Sequence, residues 1–270
     1  MDTATLSVSA LYVYPVKSCR GTEMDAAEVS PCGFAHDREF MVVDGITGLF
    51  LTQREAPRLA LIRPFLEDDA LRLEAPGMSP LALTPVTSGP VRDVIVWQDR
   101  CCAVDQGGEA AGWLTRFLGV DCRLVRMAED HVRPVDPRYA VGRRDRVGFA
   151  DGYPFLLLSR ESLDDLNARL AAPVPMNRFR PNIVVAGGGA PFLEDRWRRI
   201  RIGSVTFYVV KPCARCVITT VDQDSAVPGR EPLATLARYR NSPRGVLFGQ
   251  NLIHAGTGTI RRGDPVTVLA

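Results

Sequence analysis

Between Arg58 and Cys102 the chain is broken into short apolar runs, Leu59-Ala-Leu-Ile, Leu71-Arg-Leu, Leu81-Ala-Leu and Val94-Ile-Val-Trp, separated by Pro, Gly and Asp. Many short strands with turn signals roughly every 8–12 residues suit a small barrel or sandwich. The alternation of a strand also runs from Leu6 to Tyr14, ending at Pro15, and from Arg38 to Val43. Asp44-Gly45 with Thr47-Gly48 is a hairpin signal that predicts Leu49 to Gln53 as the returning strand. A tight hairpin is predicted for Arg199–Ile202 and Val205–Val210 around Gly203-Ser204, and Leu247–Ile253 and Pro265–Leu269 read as closing strands. Helical spacing is confined to three stretches. Glu109 to Leu118 repeats Ala110, Trp113, Leu114 and Phe117 and stops at Gly119, its Trp and Phe being core material. Ser159 caps Arg160–Leu170, and Pro232 opens a helix to Arg240. The fold is therefore expected to be mainly β with helices, an α+β chain.

A chain of 270 residues with 46% hydrophobic content can bury one large or two modest cores. Its 33 basic and 31 acidic residues nearly balance, so bulk charge favours neither nucleic acid nor an acidic membrane. No apolar run approaches the ~20 residues of a membrane span, and Met1-Asp-Thr-Ala-Thr-Leu-Ser is not a secretory leader. With seven cysteines, an odd count, a reducing cytoplasmic location is expected. Cys19, Cys32, Cys101, Cys102 and Cys122 are read as packed thiols, the adjacent pair on opposite faces of a strand.

The chemistry concentrates in Lys211-Pro-Cys-Ala-Arg-Cys-Val-Ile-Thr-Thr-Val-Asp222, a turn between runs read as strands at Val205–Val210 and Val217–Val221. Arg215 beside Cys216 should favour the thiolate. A structural zinc knuckle would need two further ligands, and His36, His131 and His254 form no paired ligand motif. A thioredoxin-like dithiol normally opens a helix, whereas Val217-Ile-Thr-Thr-Val reads as strand. A single thiolate on a softer metal is the third reading. Elsewhere, Lys17 and Ser18 on a turn closed by Gly21 suit either a solvated loop or an oxyanion. The Pro-rich stretch Glu129–Val147 carries Arg133, Arg138, Arg143, Arg144 and Arg146 and reads as a loop, able to serve as a lid or to dock an acidic protein.

Together these residues resemble MOSC-domain proteins, in the branch of mitochondrial amidoxime-reducing components and bacterial YcbX-like relatives. The resemblance rests on the Lys211–Asp222 motif, Tyr14-Pro-Val-Lys-Ser, Gly33-Phe-Ala-His-Asp-Arg, Phe50-Leu-Thr-Gln-Arg and Arg180-Pro-Asn, and extends from about Leu11 to the end. It implies a β-barrel-like domain over residues 1–125 and a MOSC β-barrel over 126–270, with the molybdenum cofactor (Mo-molybdopterin) between them. Cys216 would be the protein ligand of molybdenum, with Asn182 and Asp151 near the reacting face. Lys17, Ser18, Arg38, Arg180 and Arg215 would bind the cofactor, seconded by Thr52, Gln53, Arg54, Asn177 and Arg178. His36 stands where relatives carry an aromatic and is read as packing. The implied activity is reduction of N-hydroxylated small molecules: amidoximes, hydroxylamines or N-oxides. Electrons would come from a separate ferredoxin-, flavodoxin- or cytochrome-type protein, since the chain ends without a Cys₄ iron–sulfur pattern. Pyridoxal phosphate is not an expected cofactor. The alternative is a non-catalytic cofactor carrier or a sulfur-transfer protein acting through Cys216.

Overall fold

The computed structural model describes residues 5–67 and 70–270. The reading of the first residues as no leader lies in part outside that range. A nine-stranded sheet forms the main body, in the order Thr22–Met24, Ser7–Val13, Ile183–Ala186, Phe155–Ser159, Gly245–Ala255, Val205–Ala214, Arg199–Ile202 and Val266–Val268, with Asn241–Ser242 added to the long Gly245–Ala255 strand. Only Phe155–Ser159 and Ile183–Ala186 run parallel among these pairs. A four-stranded sheet orders Phe40–Asp44, Cys122–Met127, Asp99–Asp105 and Val91–Val96. Ala26–Ser30 pairs with Gly258–Arg261, so both ends of the chain are woven into one body.

The alternating strands bury one face each, as their period requires. Val8, Leu11 and Val13 point into a core with Phe155, Ile183, Phe207, Leu252 and Ile260. A second core gathers Val16, Phe40, Val42, Leu59, Leu71, Trp113, Leu114 and Phe117 beneath the helix Gly108–Leu118, whose Gly119 closes it in the left-handed region with an N–H to Thr115 O. Cys101 is buried and Cys102 half-buried on one strand, as alternation demands. The helix Arg160–Asn167 has its Ser159 cap on Ser162 N, and Leu233–Tyr239 starts after Pro232.

Four expectations need correction. Val217–Thr220 is a 3-10 turn, because Thr219 and Thr220 hydroxyls bond back to the carbonyls of Cys216 and Val217 and compete with a ladder. Pro57–Leu61 is also 3-10, with Pro at its start, and the strand begins at Arg63. Leu49–Gln53 returns antiparallel only briefly: Phe50 bridges Val43, with Asp44 N donating to Leu49 O and Leu51 N to Val42 O, and the chain then turns at Thr52, whose carbonyl accepts from Glu55 N and Ala56 N. The Glu129–Val147 stretch is not featureless: Arg133–Pro134 pairs with Arg146–Val147, and Arg133 is buried.

Phe155 sits edge-on to Phe34, Phe207 and His254 at 4.9, 5.3 and 5.4 Å between centroids. Phe155→Ala should cost ~3–5 kcal/mol and lower Tm by roughly 10 °C in thermal unfolding.

Candidate functional site

A cleft of about 450 Å³ opens where strand ends from both halves of the chain converge. Lys17 and Ser18 follow the first strand, and the bonds Lys17 N to Phe40 O and Arg38 N to Tyr14 O set them beside Arg38. Arg54 comes from the turn after Phe50, Asp151 from the loop before Phe155, and Arg180 and Asn182 from the entry to Ile183–Ala186. Cys213, Arg215 and Cys216 arrive at the end of Val205–Ala214, where two irregularities in its pairing with Gly245–Ala255 re-aim the side chains. Ser18, Arg38, Trp97 and Arg180, with φ of 67°, 50°, 57° and 55°, all line the cleft, and these are four of the seven non-glycine residues with positive φ among the described residues. Such concentration of unfavourable backbone is a mark of a functional site.

Six cations, Lys17, Arg38, Arg54, Arg180, Lys211 and Arg215, line the walls against one carboxylate, Asp151. Each is fixed by the protein. Arg38 donates to Asp37 Oδ2 at 2.5 Å and to Asn182 Oδ1 at 3.0 Å. Arg38 and Arg180 both stack on the Tyr14 ring, 4.2 and 4.4 Å from its centroid, and the Tyr14 hydroxyl donates to Pro181 O at 3.0 Å. Lys17 Nζ donates to Phe149 O at 2.7 Å and to Asp151 Oδ1 at 2.5 Å. Arg133, from behind, donates to the carbonyls of Gly148, Ala150 and Asp151 and so fixes the loop that carries Asp151.

The Asp151 side chain is 71% open to solvent through the cleft mouth yet ringed by protein atoms of the concave wall. That partial desolvation pushes its carboxyl up, but the Lys17 charge and hydrogen bond, the Trp97 N–H and the Arg38 charge outweigh it and hold the group well below the usual carboxylate range. Burial lowers the Lys17 ammonium despite the pull of Asp151. Asp151 is therefore ionised at neutral pH, with the Lys17 amine held against it.

The two thiols have separate arginines. Arg54 Nη2 lies 3.1 Å from Cys216 Sγ, while Arg215 Nη1 lies 3.0 Å from Cys213 Sγ. The expectation that Arg215 serves Cys216 is corrected: in extended backbone, residues two apart share a face and neighbours do not. Among the described residues no three His, Cys, Asp or Glu side chains gather as a metal cage.

Two domain families match the chain, the MOSC N-terminal beta barrel domain over residues 5–121 and the MOSC domain over 144–267. This chain belongs to the MOSC-domain family. It is 41% identical over 281 residues to "Mitochondrial amidoxime-reducing component 1" of Mus musculus, covering 97% of this chain and 82% of that protein. It is 39% identical to "Mitochondrial amidoxime reducing component 2" of Bos taurus, with 96% and 82% covered. "Molybdenum cofactor sulfurase" of Oryza sativa subsp. japonica is 32% identical over 90% of this chain but only 32% of its own length. The cytoplasmic expectation is corrected by the mitochondrial relatives. Free thiols imply a reducing surrounding, which the cytoplasm does not monopolise.

Of the residues singled out from sequence, this MOSC protein brings Lys17, Ser18, Arg38, Thr52, Arg54, Asp151, Arg180, Asn182, Arg215 and Cys216 to one cleft. Three lie elsewhere. Gln53 is fully buried, donating to Ser18 O and exchanging hydrogen bonds with Gln223, so it clamps the two halves together. Asn177 lines a neighbouring cavity, and Arg178 pairs with Asp222 at 2.6 Å. Asn182 is 1% exposed, and its amide is engaged by Arg38, Leu156 N and Tyr12 O, so it acts on the cleft through Arg38. His36 is not packed inside: its ring is 60% exposed and lies 2.9 Å from Glu39. Trp97, Lys211 and Tyr153 also line the cleft, and Tyr14 lies buried beneath its arginines; aromatic and single lysine positions carry no spacing signal that would have marked them.

A Cβ at Gly21 would lie 2.3 Å from the buried, hydrogen-bonded Tyr14 ring. Gly21→Ala should therefore cost ~1–3 kcal/mol by overpacking and, by tilting the ring beneath Arg38 and Arg180, weaken anion binding in the cleft. Chemical denaturation and titration with a phosphate-bearing pterin check the two effects.

Proposed function

We propose that this protein is a molybdenum-cofactor-dependent oxidoreductase that reduces N-hydroxylated compounds with electrons from a separate protein. The observation that carries the reading is the Cys216 thiol, presented with a guanidinium at 3.1 Å beside Cys213 in a cleft walled by cations. The donor set fits the cofactor. A soft thiol with no three-residue His, Cys, Asp or Glu cage around it among the described residues suits a metal that brings its other ligands with it, and arginines fixed on Tyr14 suit an anionic phosphate and pterin. The names of the relatives point the same way.

Cys216 would hold the metal, Arg38 and Arg180 the phosphate end, and the bound cofactor would supply a two-electron couple. Reducing an amidoxime breaks its N–O bond, takes up an electron pair and two protons, and releases the oxygen as water. Asp151, kept ionised, accepts a hydrogen bond from the substrate's amino group and orients it. Lys17 Nζ already donates to Phe149 O and Asp151 Oδ1 and so holds Asp151 at the cleft wall. The rice relative favours a second reading, a cofactor carrier or sulfur-transfer protein acting through Cys216. Stoichiometric molybdenum in natively purified protein together with reduction of benzamidoxime by a chemical donor supports the enzyme; absence of both sinks it. Cys216→Ala should abolish molybdenum retention in elemental analysis, whereas Cys213→Ala should only weaken it, and equal loss would point to a two-cysteine site.

The electron donor in this reading is an acidic protein docking at the arginine-bearing loop. Tyr139 ties that loop to the cleft, lying with Tyr153 around Lys211 Nζ at 4.8 and 5.8 Å. Arg133 is buried and Arg138 pairs with Asp136 at 2.6 Å, which leaves the exposed Arg143 and Arg144 for docking. Reversing both to Glu should slow partner-driven turnover and flatten its salt dependence, with screening set by a Debye length of ~10 Å at 0.1 M. Turnover with a small uncharged reductant should stay near the original rate; a parallel drop in both assays would refute docking there.

A further inference from the structure

Trp97 occupies a position where tryptophan is a poor choice. It begins the two-residue turn between Val91–Val96 and Asp99–Asp105, at φ 57°, where Asn, Asp or Gly is usual, and it is 44% exposed. A bulky residue kept in the left-handed region invites a functional explanation. Its contacts supply one. The indole N–H donates to Asp151 Oδ1 at 3.1 Å, and the Arg54 guanidinium stacks on the indole 4.9 Å from its centroid. Phe50 packs edge-on against the ring at 5.0 Å and also lies under Lys17 Nζ at 5.4 Å. One side chain thus touches two contacts of the cleft, Lys17 with Asp151 and Arg54 with Cys216.

We propose that Trp97 is a positioning residue that holds Arg54 on the Cys216 thiol and Asp151 on Lys17. Its importance for turnover rests on the function proposed above, but the contact itself does not. Among the described residues the Arg54 side chain touches the Trp97 ring and the Cys216 thiol, so loss of the ring leaves the guanidinium only the thiol to oppose its swinging into solvent.

Alkylation of Cys216 in cofactor-free protein tests this, in a Cys213→Ser background with modification read at Cys216 by mass spectrometry. The ratio of the rates with anionic iodoacetate and neutral iodoacetamide cancels thiol ionisation and access, and reports the nearby cation. Arg54→Gln should lower the ratio by about 5-fold, the effect of one charge at roughly 4 Å in water. Trp97→Ala should lower it as far, while Trp97→Phe, which keeps a ring face, should stay near wild type. A wild-type ratio in Trp97→Ala, or in Arg54→Gln, overturns the proposal. Molybdenum content is measured separately on the unaltered protein: its absence there would remove the proposed cofactor while leaving the alkylation result to decide the role of Trp97.

Discussion

The antiparallel pairing of Ser7–Val13 with Ile183–Ala186 is the contact on which the cleft depends. It carries the first strand into the sheet of the second half, so that its exit, at Tyr14 to Ser18, lies against the entry of the strand that follows Arg180 and Asn182. Arg38 then reaches Asn182 Oδ1, and Lys17 reaches Asp151, across sequence separations no local motif spans. Ladder hydrogen bonds and the packing of Leu11 and Val13 on Ile183 and Phe155 fix this register. A one-residue slip would turn every one of those side chains to the other face.

A wall of cations is costly to assemble, since like charges repel and burial removes water. The protein offsets this without neutralising the wall. The Tyr14 ring takes both Arg38 and Arg180, carbonyls of Cys19 and Phe179 accept from Arg180 and Arg215, and Asp37 pairs with Arg38. These partners leave the surplus positive charge directed at the cleft and already ordered. A ligand bearing an anion then meets donors that need little rearrangement, which is the condition for strong electrostatic binding in a partly dry site. The separation of the thiols belongs to the same design, because each has its own guanidinium and only Cys216 shares one with Trp97.

Much was decided by sequence alone: the alternating runs and turn residues that make the chain mainly β, the amphipathic helix ending at Gly119, the Ser159 cap, and the motifs that contribute Cys216, Arg38, Arg180 and Lys17. Those signals are local, in that period, caps and turn chemistry act within a few residues. Tertiary structure decided the rest. Val217–Thr220 left the strand its β-branched residues favour because threonine hydroxyls found nearer carbonyls, and Leu49–Gln53 pairs with Phe40–Asp44 only at Phe50 before the turn at Thr52 ends the ladder. Gln53 and Asn182 proved to be buried clamps, since an amide's role depends on which groups surround it. Trp97 became a cleft residue only when its turn met Arg54 and Asp151 from segments far apart in sequence, and no spacing within any of them encodes such a meeting.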